Sequence, residues 1–330
     1  GMSTMVRPGQ KVAILLPCEA RDSVGDLLAR GLRRMDVKTL PYGVVRNPLD
    51  AASAIASFGA DCLVGIPTHV LGIAHSRAGG AIVKGCIETV LLTTDYVPRA
   101  ITKILEETWG CRVFNHYGMT EMGLGGGVEC EALNGYHLRE ADLYFEVVDH
   151  NTGEVCPDGE VGEVVFTTLT RQGMPLIRYK TGDIARIIPE SCPCGSALRR
   201  MEYVRGRWEG VVYVGSDRPL TLSDMDEALF GLTGLLDYRA TVSRNKEGKR
   251  LLSVDVYRTE GGSITEEEVI RRLNDVEAIR ESIARGAIGA TIVRFSEEGR
   301  WITTGVAKRK IITESDLPAG PLLQQLNGND

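Results

Sequence analysis

The sequence has no block of basic residues, no long hydrophobic run and no internal repeat. It carries 38 Lys and Arg against 44 Asp and Glu, a formal net charge of −6, so electrostatics give no reason to expect nucleic-acid or membrane binding. No apolar run approaches the length that spans a bilayer. The N-terminus lacks a basic-then-apolar signal pattern, and Gly1 before Met2 is typical of a tag-removal scar. We therefore expect a cytoplasmic protein.

Length and composition indicate two domains of a globular protein. A chain of 330 residues is too long for one ordinary small core. The apolar share of 43% and the charged share of 25% are typical of soluble globular proteins. The eight cysteines have scattered spacings, which argues against a disulfide framework and for free thiols, some of them able to hold a metal.

The first part of the chain alternates strand-like and helix-like patterns. Short apolar runs stand at 12–16, 62–66, 89–92 and 112–114, with amphipathic stretches at 24–35 and 98–108. Strands buried on both faces and alternating with helices predict an α/β fold with a doubly wound parallel sheet. Ligands bind such sheets beyond the carboxyl ends of the strands.

The later part of the chain predicts two further regions. A β-rich portion has strands at 143–148, 162–167 and 175–179. A small α+β layer follows, with helices at 222–232 and 264–279 and strands at 240–243, 251–257 and 291–295. We expect a large domain at 1–205, with the parallel layer to about 120 and the β-rich portion at 121–205. A small C-terminal α+β lid domain would occupy 206–330.

Two short motifs carry most of the chemical information. The first reads Tyr-Gly-Met-Thr-Glu at 117–121 and the second reads Tyr-Lys-Thr-Gly-Asp at 179–183. An aromatic face suits a purine, a hydroxyl suits a phosphate and a carboxylate suits Mg²⁺. A second carboxylate suits the cis-diol of a ribose. Because the first motif directly follows a strand of the parallel sheet, the two together predict an ATP site.

Each motif taken alone has a simpler structural interpretation. Thr120 could cap a following helix, and 181–183 could be an ordinary hairpin turn. The glycine-rich run at 123–127 could be a loosely packed loop, because a lone glycine cluster is poor evidence for phosphate binding. His116 could contact substrate or make a local hydrogen bond. The order of the motifs along the chain is what favours nucleotide chemistry.

This order of motifs resembles the phenylacetate–CoA ligase branch of the adenylate-forming superfamily. The resemblance runs from about residue 6 to 311 and includes Asn-Thr-Gly-Glu at 151–154, Gly-Glu-Val-Gly-Glu at 159–163 and Cys-Pro-Cys-Gly at 192–195. It implies AMP-forming activation of an aryl or acyl acid. In that family a small-molecule carboxylate attacks the α-phosphate of ATP to give an acyl-adenylate and pyrophosphate, and the CoA thiolate then displaces AMP to give a thioester. ATP/AMP, Mg²⁺ and CoA are the implied cofactors.

The resemblance also implies that the glycine-rich run at 123–127 lines an acyl pocket and a CoA route, and it implies roles for individual residues. Tyr117, with Gly118 beside it, binds the nucleotide by stacking on adenine, and Asp183 holds the ribose hydroxyls. Thr120 hydrogen-bonds the α-phosphate and Glu121 holds Mg²⁺. Two cationic positions complete the implied site, Arg207 near the ribose or phosphate at the domain junction and Lys308 as the candidate catalytic lysine.

Three departures from the family pattern bear on activity. The Ser/Thr/Gly-rich phosphate loop, which stands before the first strand in the family, is not found in this sequence. The late Gly-Lys pair reads Gly305-Val306, with Lys308 and Lys310 nearby. The hinge acid is replaced, and Glu209 is the candidate substitute. We expect impaired adenylation, from a fragment, from a chain completed by a separate N-terminal subunit, or from a degenerate homologue.

Four further residues predict a zinc site. Cys130 and His137 lie seven positions apart, and Cys192 and Cys194 form a Cys-x-Cys turn. Three thiolates and one imidazole form a closed tetrahedral set of the kind that structural Zn²⁺ favours, and the resemblance implies the same set. A metal there would join the β-rich portion to the parallel sheet. The alternative is unrelated thiols and a surface histidine.

Two other functions remain open from the sequence. One is adenylylation of a deazaflavin coenzyme, which uses the same ATP half-reaction with a different nucleophile. The other is a non-catalytic homologue that binds a nucleotide or an acyl group, an alternative that Val306 favours. The resemblance is compatible with a homodimer, and the sequence does not identify the acid.

Overall fold

The computed structural model describes residues 2–123, 125–204, 206–215, 217–245, 247–259, 262–296 and 309–314. The chain packs as two compact units, the first ending at Glu209 and the second beginning at Gly210. The division at 205 and 206 and the lid role stay predictions. Among the described residues, no helix combines the length and apolar character that a membrane crossing requires.

Five parallel strands form one half of the first sheet, which confirms the predicted α/β fold. In chain order the elements are β1 (Lys11–Leu15), α1 (Val24–Arg33), β2 (Lys38–Pro41), α2 (Pro48–Phe58), β3 (Cys62–Gly65), α3 (Pro67–His75), α4 (Arg77–Gly80), β4 (Thr89–Leu92), α5 (Arg99–Trp109) and β5 (Arg112–Tyr117). The strands pair in the order β2-β1-β3-β4-β5, all parallel. The order reverses at β1, as in doubly wound sheets. Strand β3 is buried at every residue, which explains its continuous apolar run.

The same sheet continues past β5 with short antiparallel strands. The further strands of the first unit are β6 (Gly127–Val128), β7 (Tyr136–Leu138), β8 (Leu143–Val148), β9 (Gly162–Thr168), β10 (Tyr179–Ala185), β11 (Ile187–Ile188), β12 (Arg200–Met201) and β13 (Gly206–Arg207). Strands β6, β7, β12 and β11 follow β5 in that order, each antiparallel to its neighbour. The β-rich portion therefore contributes to the first sheet as well as forming a second one.

The second sheet is antiparallel, in the order β13-β10-β9-β8. The strand predicted at 175–179 is wrong, because β10 begins only at Tyr179. Arg178 has a left-handed backbone (φ 47°) that an extended strand cannot include. The hairpin-turn interpretation of 181–183 is also wrong. All three residues lie inside β10. They stand opposite a single residue of β9, Val164, and therefore form a bulge.

The second unit has the predicted α+β composition. Its elements are α6 (Leu222–Leu229), β14 (Leu235–Arg244), β15 (Arg250–Arg258), α7 (Glu266–Asn274), α8 (Glu277–Ala284), β16 (Ile288–Ser296) and β17 (Ile312–Thr313). The strands pair in the order β16-β15-β14-β17, with only β14 and β15 antiparallel. The single helix predicted at 264–279 is two helices. The first begins at a capping box formed by Thr265 and Glu268.

Arg309 lies in a cluster of charged and aromatic side chains within the second unit. Its Nη1 donates to Asp226 Oδ1 at 2.9 Å, and its Nε lies 3.0 Å from Asp237 Oδ1. The guanidinium carbon is 5.1 Å from the ring centroid of Phe230 and 4.7 Å from that of Tyr238. Asp226 is 0% exposed and also accepts from the Tyr238 hydroxyl at 2.6 Å. Arg309 therefore compensates a fully buried carboxylate and fixes the chain at this point.

Candidate nucleotide-binding site and metal centre

Tyr117 is the last residue of β5, at the carboxyl edge of the parallel strands. The residue is 7% exposed, and its ring centroid lies 5.7 Å from that of Tyr136. The hydroxyl donates to Asp183 Oδ2 at 2.7 Å, across from the second sheet. Burial, followed by the negative charge of Asp183, raises the pKa of Tyr117 well above its ordinary value. The phenol therefore stays protonated and remains a donor to the carboxylate.

Asp183 lies in the bulge of β10 and faces both Tyr117 and Arg207. Its Oδ1 is 3.1 Å from Arg207 Nε, on the neighbouring strand β13. Arg207 also donates to the carbonyl of Thr181. The Asp183 side chain is 5% exposed, so the ion pair keeps a buried charge compensated. The structure thus brings together three of the residues predicted for nucleotide binding, Tyr117, Asp183 and Arg207.

Gly182 makes the bulge in β10 possible. Its φ of 76° is a conformation that side chains rarely adopt, and a Cβ there would stand 3.4 Å from Arg207 Nη2. Thr181 holds the same bulge from the other side. Its hydroxyl donates to the Val164 carbonyl at 2.8 Å and accepts from the Asp183 amide at 3.0 Å. The bulge therefore determines where the Asp183 carboxylate points.

Thr120 and Glu121 lie directly after β5, in a single 3₁₀ turn, Thr120–Met122. The helix-cap interpretation of Thr120 is wrong, because Met119 takes the cap position and Thr120 is inside the turn. Thr120 is exposed and Glu121 is half-buried. Arg171, which the sequence did not point to, donates to the Glu121 carbonyl at 2.7 Å. This bond and the turn itself hold the two predicted phosphate and Mg²⁺ residues beside Tyr117.

The glycine-rich loop packs tightly against the first motif. A Cβ on Gly118 would stand 2.6 Å from Gly125 Cα, and a Cβ on Gly125 would overlap the His116 ring. His116 Nδ1 lies 2.8 Å from Thr93 Oγ1, so this histidine makes the local hydrogen bond that was one of its two alternatives. The loosely packed interpretation of the loop is wrong in this part, since only glycine permits such a close approach.

The candidate catalytic lysine, Lys308, lies outside the described residues, as does the Gly305-Val306 pair. Its role and that of Val306 stay predictions from the sequence.

Cys130, His137, Cys192 and Cys194 form one compact cluster. Their ligand atoms all lie within 4.8 Å of one another. Cys130 Sγ is 3.6 Å from Cys192 Sγ, and Cys194 Sγ is 3.3 Å from His137 Nε2. Tetrahedral Zn²⁺ with bonds of about 2.3 Å to sulfur and 2.0 Å to nitrogen places such ligand pairs about 3.5–3.8 Å apart. The donor set and its spacing therefore fit this ion.

Local hydrogen bonds prepare the cluster for a metal. His137 Nδ1 lies 3.2 Å from the Leu198 carbonyl, and since a carbonyl only accepts, Nδ1 carries the proton and Nε2 is left to ligate. Burial acts to raise the pKa of the Cys192 thiol, but hydrogen bonds from Cys194, Cys130 and His137 outweigh it and lower that pKa to about 6. At neutral pH this cysteine is therefore a thiolate, the form that binds metal.

The topology corrects one expectation about the metal. Cys130 follows β6, His137 lies in β7, and Cys192 and Cys194 lie between β11 and β12. All these strands belong to the antiparallel half of the first sheet. A metal would therefore tie together segments of one sheet rather than join the β-rich portion to the parallel sheet.

A buried carboxylate beside the cluster was missed from the sequence. Glu129 accepts from the Asn115 amide at 2.6 Å and from the Tyr203 hydroxyl. Burial raises the pKa of Glu129 to about 7, although both hydrogen bonds act to lower it. The signal in the sequence was an acidic residue next to a candidate ligand, Cys130. Its partner Tyr203 is 74 residues away, so spacing could not have indicated the pair.

Comparisons with known proteins show what the chain is similar to. A family model described as AMP-binding enzyme matches residues 36–170. The phenylacetate–coenzyme A ligase of Thermus thermophilus is 33% identical over 208 residues, covering 60% of this chain and 46% of that protein. The phenylacetate–coenzyme A ligase of Escherichia coli is 31% identical over 189 residues, covering 56% and 42%. The crystal structure of a 2-hydroxyisobutyryl-CoA ligase in complex with R3-HIB-AMP matches with a TM-score of 0.76 at 20% identity, covering 98% of this chain and 69% of that chain.

The fold is that of adenylate-forming CoA ligases. Over part of its length the chain is similar to AMP-binding enzymes and to phenylacetate–CoA ligases. The chain spans less than half the length of the two phenylacetate–coenzyme A ligases it matches.

Proposed function

We propose that this chain carries the adenosine-binding site of an AMP-forming acid–CoA ligase that activates an aryl or acyl carboxylic acid. The observation that carries the proposal is the contact of Tyr117, Asp183 and Arg207 at the carboxyl edge of the parallel strands. A fixed aromatic ring, a buried carboxylate and a guanidinium together match the base, the sugar and the phosphate of AMP. The similarity to AMP-binding enzymes makes the nucleotide the expected ligand.

In this proposal each residue binds a different part of the nucleotide. The Asp183 carboxylate, held by Tyr117 and Arg207, accepts hydrogen bonds from the ribose hydroxyls. The ring of Tyr117 lies against the base, and the Thr120 hydroxyl donates to the α-phosphate. Glu121 would hold Mg²⁺, which supplies positive charge against the phosphates when bound. In this scheme the chain contributes mainly positioning and electrostatic stabilisation of the transferred nucleotidyl group.

The names of the matched proteins support the class of reaction. The curated relatives are phenylacetate–coenzyme A ligases, and among the matched crystal structures one 2-hydroxyisobutyryl-CoA ligase structure holds R3-HIB-AMP and two hold 2-HIB-AMP together with CoA. We extend to this chain an AMP-forming acid–CoA ligase reaction with ATP, CoA and an aryl or acyl acid. We further propose that the cluster of Cys130, His137, Cys192 and Cys194 holds a structural Zn²⁺.

A product assay tests the reaction and separates it from the two alternatives. The protein is incubated with ATP, Mg²⁺, CoA and a panel of aryl and acyl acids, and pyrophosphate, AMP and thioester are measured. We expect AMP and a thioester with at least one acid, and loss of both in Asp183→Asn but not in the exposed control Asp158→Ala. Pyrophosphate at background with every acid would contradict the ligase and leave the binding homologue. A nucleotidylated deazaflavin in a parallel reaction would identify the other alternative.

A further inference from the structure

Glu129, the residue before the candidate ligand Cys130, contacts β5, the strand that carries Tyr117. Glu129 Oε2 accepts from the backbone amide of Asn115 at 2.6 Å, and its own amide donates back to the Asn115 carbonyl at 3.0 Å. The other carboxylate oxygen accepts from the Tyr203 hydroxyl. Asn115 is two residues before Tyr117 in β5, so the two side chains point to the same face of the sheet. Glu129 thus links the metal segment to the nucleotide motif.

Tyr136, the residue before the candidate ligand His137, also contacts β5. Both residues lie in β7, and because side chains alternate along a strand, they point to opposite faces of the sheet. Tyr136 donates its hydroxyl to Asn115 Oδ1 at 3.2 Å, and its ring centroid is 5.7 Å from that of Tyr117. A metal bound to His137 would therefore hold β7 from one side while Tyr136 supports the Tyr117 ring from the other.

The metal ligands come from two separate segments of the chain. One segment holds Cys130 and His137, and the other holds Cys192 and Cys194. Arg200 crosses between them, donating to the Asn134 carbonyl at 2.7 Å and to the Glu190 carbonyl at 2.9 Å. Strands β6 and β7 of the first segment are themselves paired in the sheet, so the part that these bonds and a metal would hold is the loop between them, 129–135. Four bonds to one ion would fix it.

We propose that the metal centre positions the nucleotide site, acting through Glu129 and Tyr136 on Asn115 and the Tyr117 ring. The proposal rests on the proposed function for its nucleotide half, while the link between the metal and β5 stands on the contacts above. With the ion bound, both supporting side chains have one position. Without it, the loop 129–135 between β6 and β7 is less constrained and the support of β5 weakens. Couplings between sites are typically about 5- to 150-fold in affinity, and we expect about tenfold here.

Hydrogen exchange on the wild-type protein tests the link without any nucleotide. Zinc is removed with a chelator and then restored, and exchange is followed peptide by peptide. We expect faster exchange after removal, by roughly tenfold, in β5 (Arg112–Tyr117) and in the loop 129–135, reversed by zinc, with β1 (Lys11–Leu15) unchanged. Unchanged exchange in β5 would overturn the proposal. An equal rise in the exchange rate of β1 would overturn it too. Zinc removal would then loosen the whole unit rather than the strand beside the nucleotide site.

AMP affinity of matched variants tests the path through Glu129. With zinc bound, we expect Glu129→Ala to weaken AMP binding about tenfold and Glu129→Gln, which keeps an acceptor for the Asn115 amide, to stay within about twofold of wild type. The control is Glu131→Ala, on the other side of Cys130 and exposed. Wild-type AMP affinity in Glu129→Ala would overturn the path. No AMP binding by the wild type would contradict the proposed function instead. The hydrogen-exchange experiment would then still test the link between the metal centre and β5.

Discussion

Replacing Arg309 with alanine is expected to lower the thermal unfolding midpoint of the second unit by about 15 °C. The change leaves the carboxylate of Asp226, which is completely buried, without the cation that compensates it. Breaking a buried ion pair from one side typically costs about 3–5 kcal/mol. The variant also loses the guanidinium that packs against Phe230 and Tyr238. Calorimetry of the purified variant measures the midpoint directly.

An exposed arginine on the same unit is the matched control. Arg294 in β16 pairs with Asp255 at 3.4 Å but is 44% exposed, and such surface pairs contribute about 0–1 kcal/mol. Arg294→Ala should therefore shift the midpoint by no more than about 3 °C. Equal shifts in the two variants would mean that Asp226 does not depend on Arg309, and the description of the cluster would fail.

Removal of zinc is expected to lower the unfolding midpoint of the first unit by about 10 °C. A ligand present at about a thousandfold over its Kd stabilises the folded state by about 4 kcal/mol, and 1 kcal/mol corresponds to about 2–4 °C for a unit of this size. The structural basis is that four candidate ligands, from two segments more than 50 residues apart, would share one ion. The measurement is calorimetry with and without chelator, alongside metal analysis of protein purified without chelator.

A cysteine outside the cluster controls for general thiol effects. Cys86 is exposed and Cys192 is a candidate ligand, so Cys192→Ser should reproduce the loss of stability while Cys86→Ser should not. Protein that contains no stoichiometric zinc, or whose midpoint does not respond to chelator, would discard the metal centre.

The parallel half of the first sheet was predictable because burial on both faces leaves a strong mark in the sequence. Strands β1, β3, β4 and β5 are the predicted apolar runs, and the alternation with helices predicts that they pair in parallel; β2 and the order of the strands were not predicted. The short strands of the antiparallel half were not predictable. Strands such as β6 and β11 have two residues each, too few for any periodicity to be seen.

Of the candidate site, only the residues that belong to the sequence motifs were predictable. The order of the two motifs predicts that Tyr117 and Asp183 lie in one site. In the structure the Tyr117 hydroxyl is 2.7 Å from Asp183 Oδ2. The bulge that aims Asp183 was not foreseen, because the glycine at 182 was equally typical of a turn. Supports such as Arg171 and Glu129 act through contacts distant in sequence, which a single sequence does not reveal.

The most direct test of the account is isothermal titration of AMP into the wild-type protein and into Asp183→Asn. The substitution keeps the shape of the side chain but removes the charge that the ribose hydroxyls would bind. Since hydrogen bonds to charged groups contribute about 1.5–3 kcal/mol, we predict saturable binding by the wild type and about a hundredfold weaker binding by the variant. Equal affinities in the two proteins, or no heat of binding with the wild type, would contradict an adenosine site at Tyr117 and Asp183.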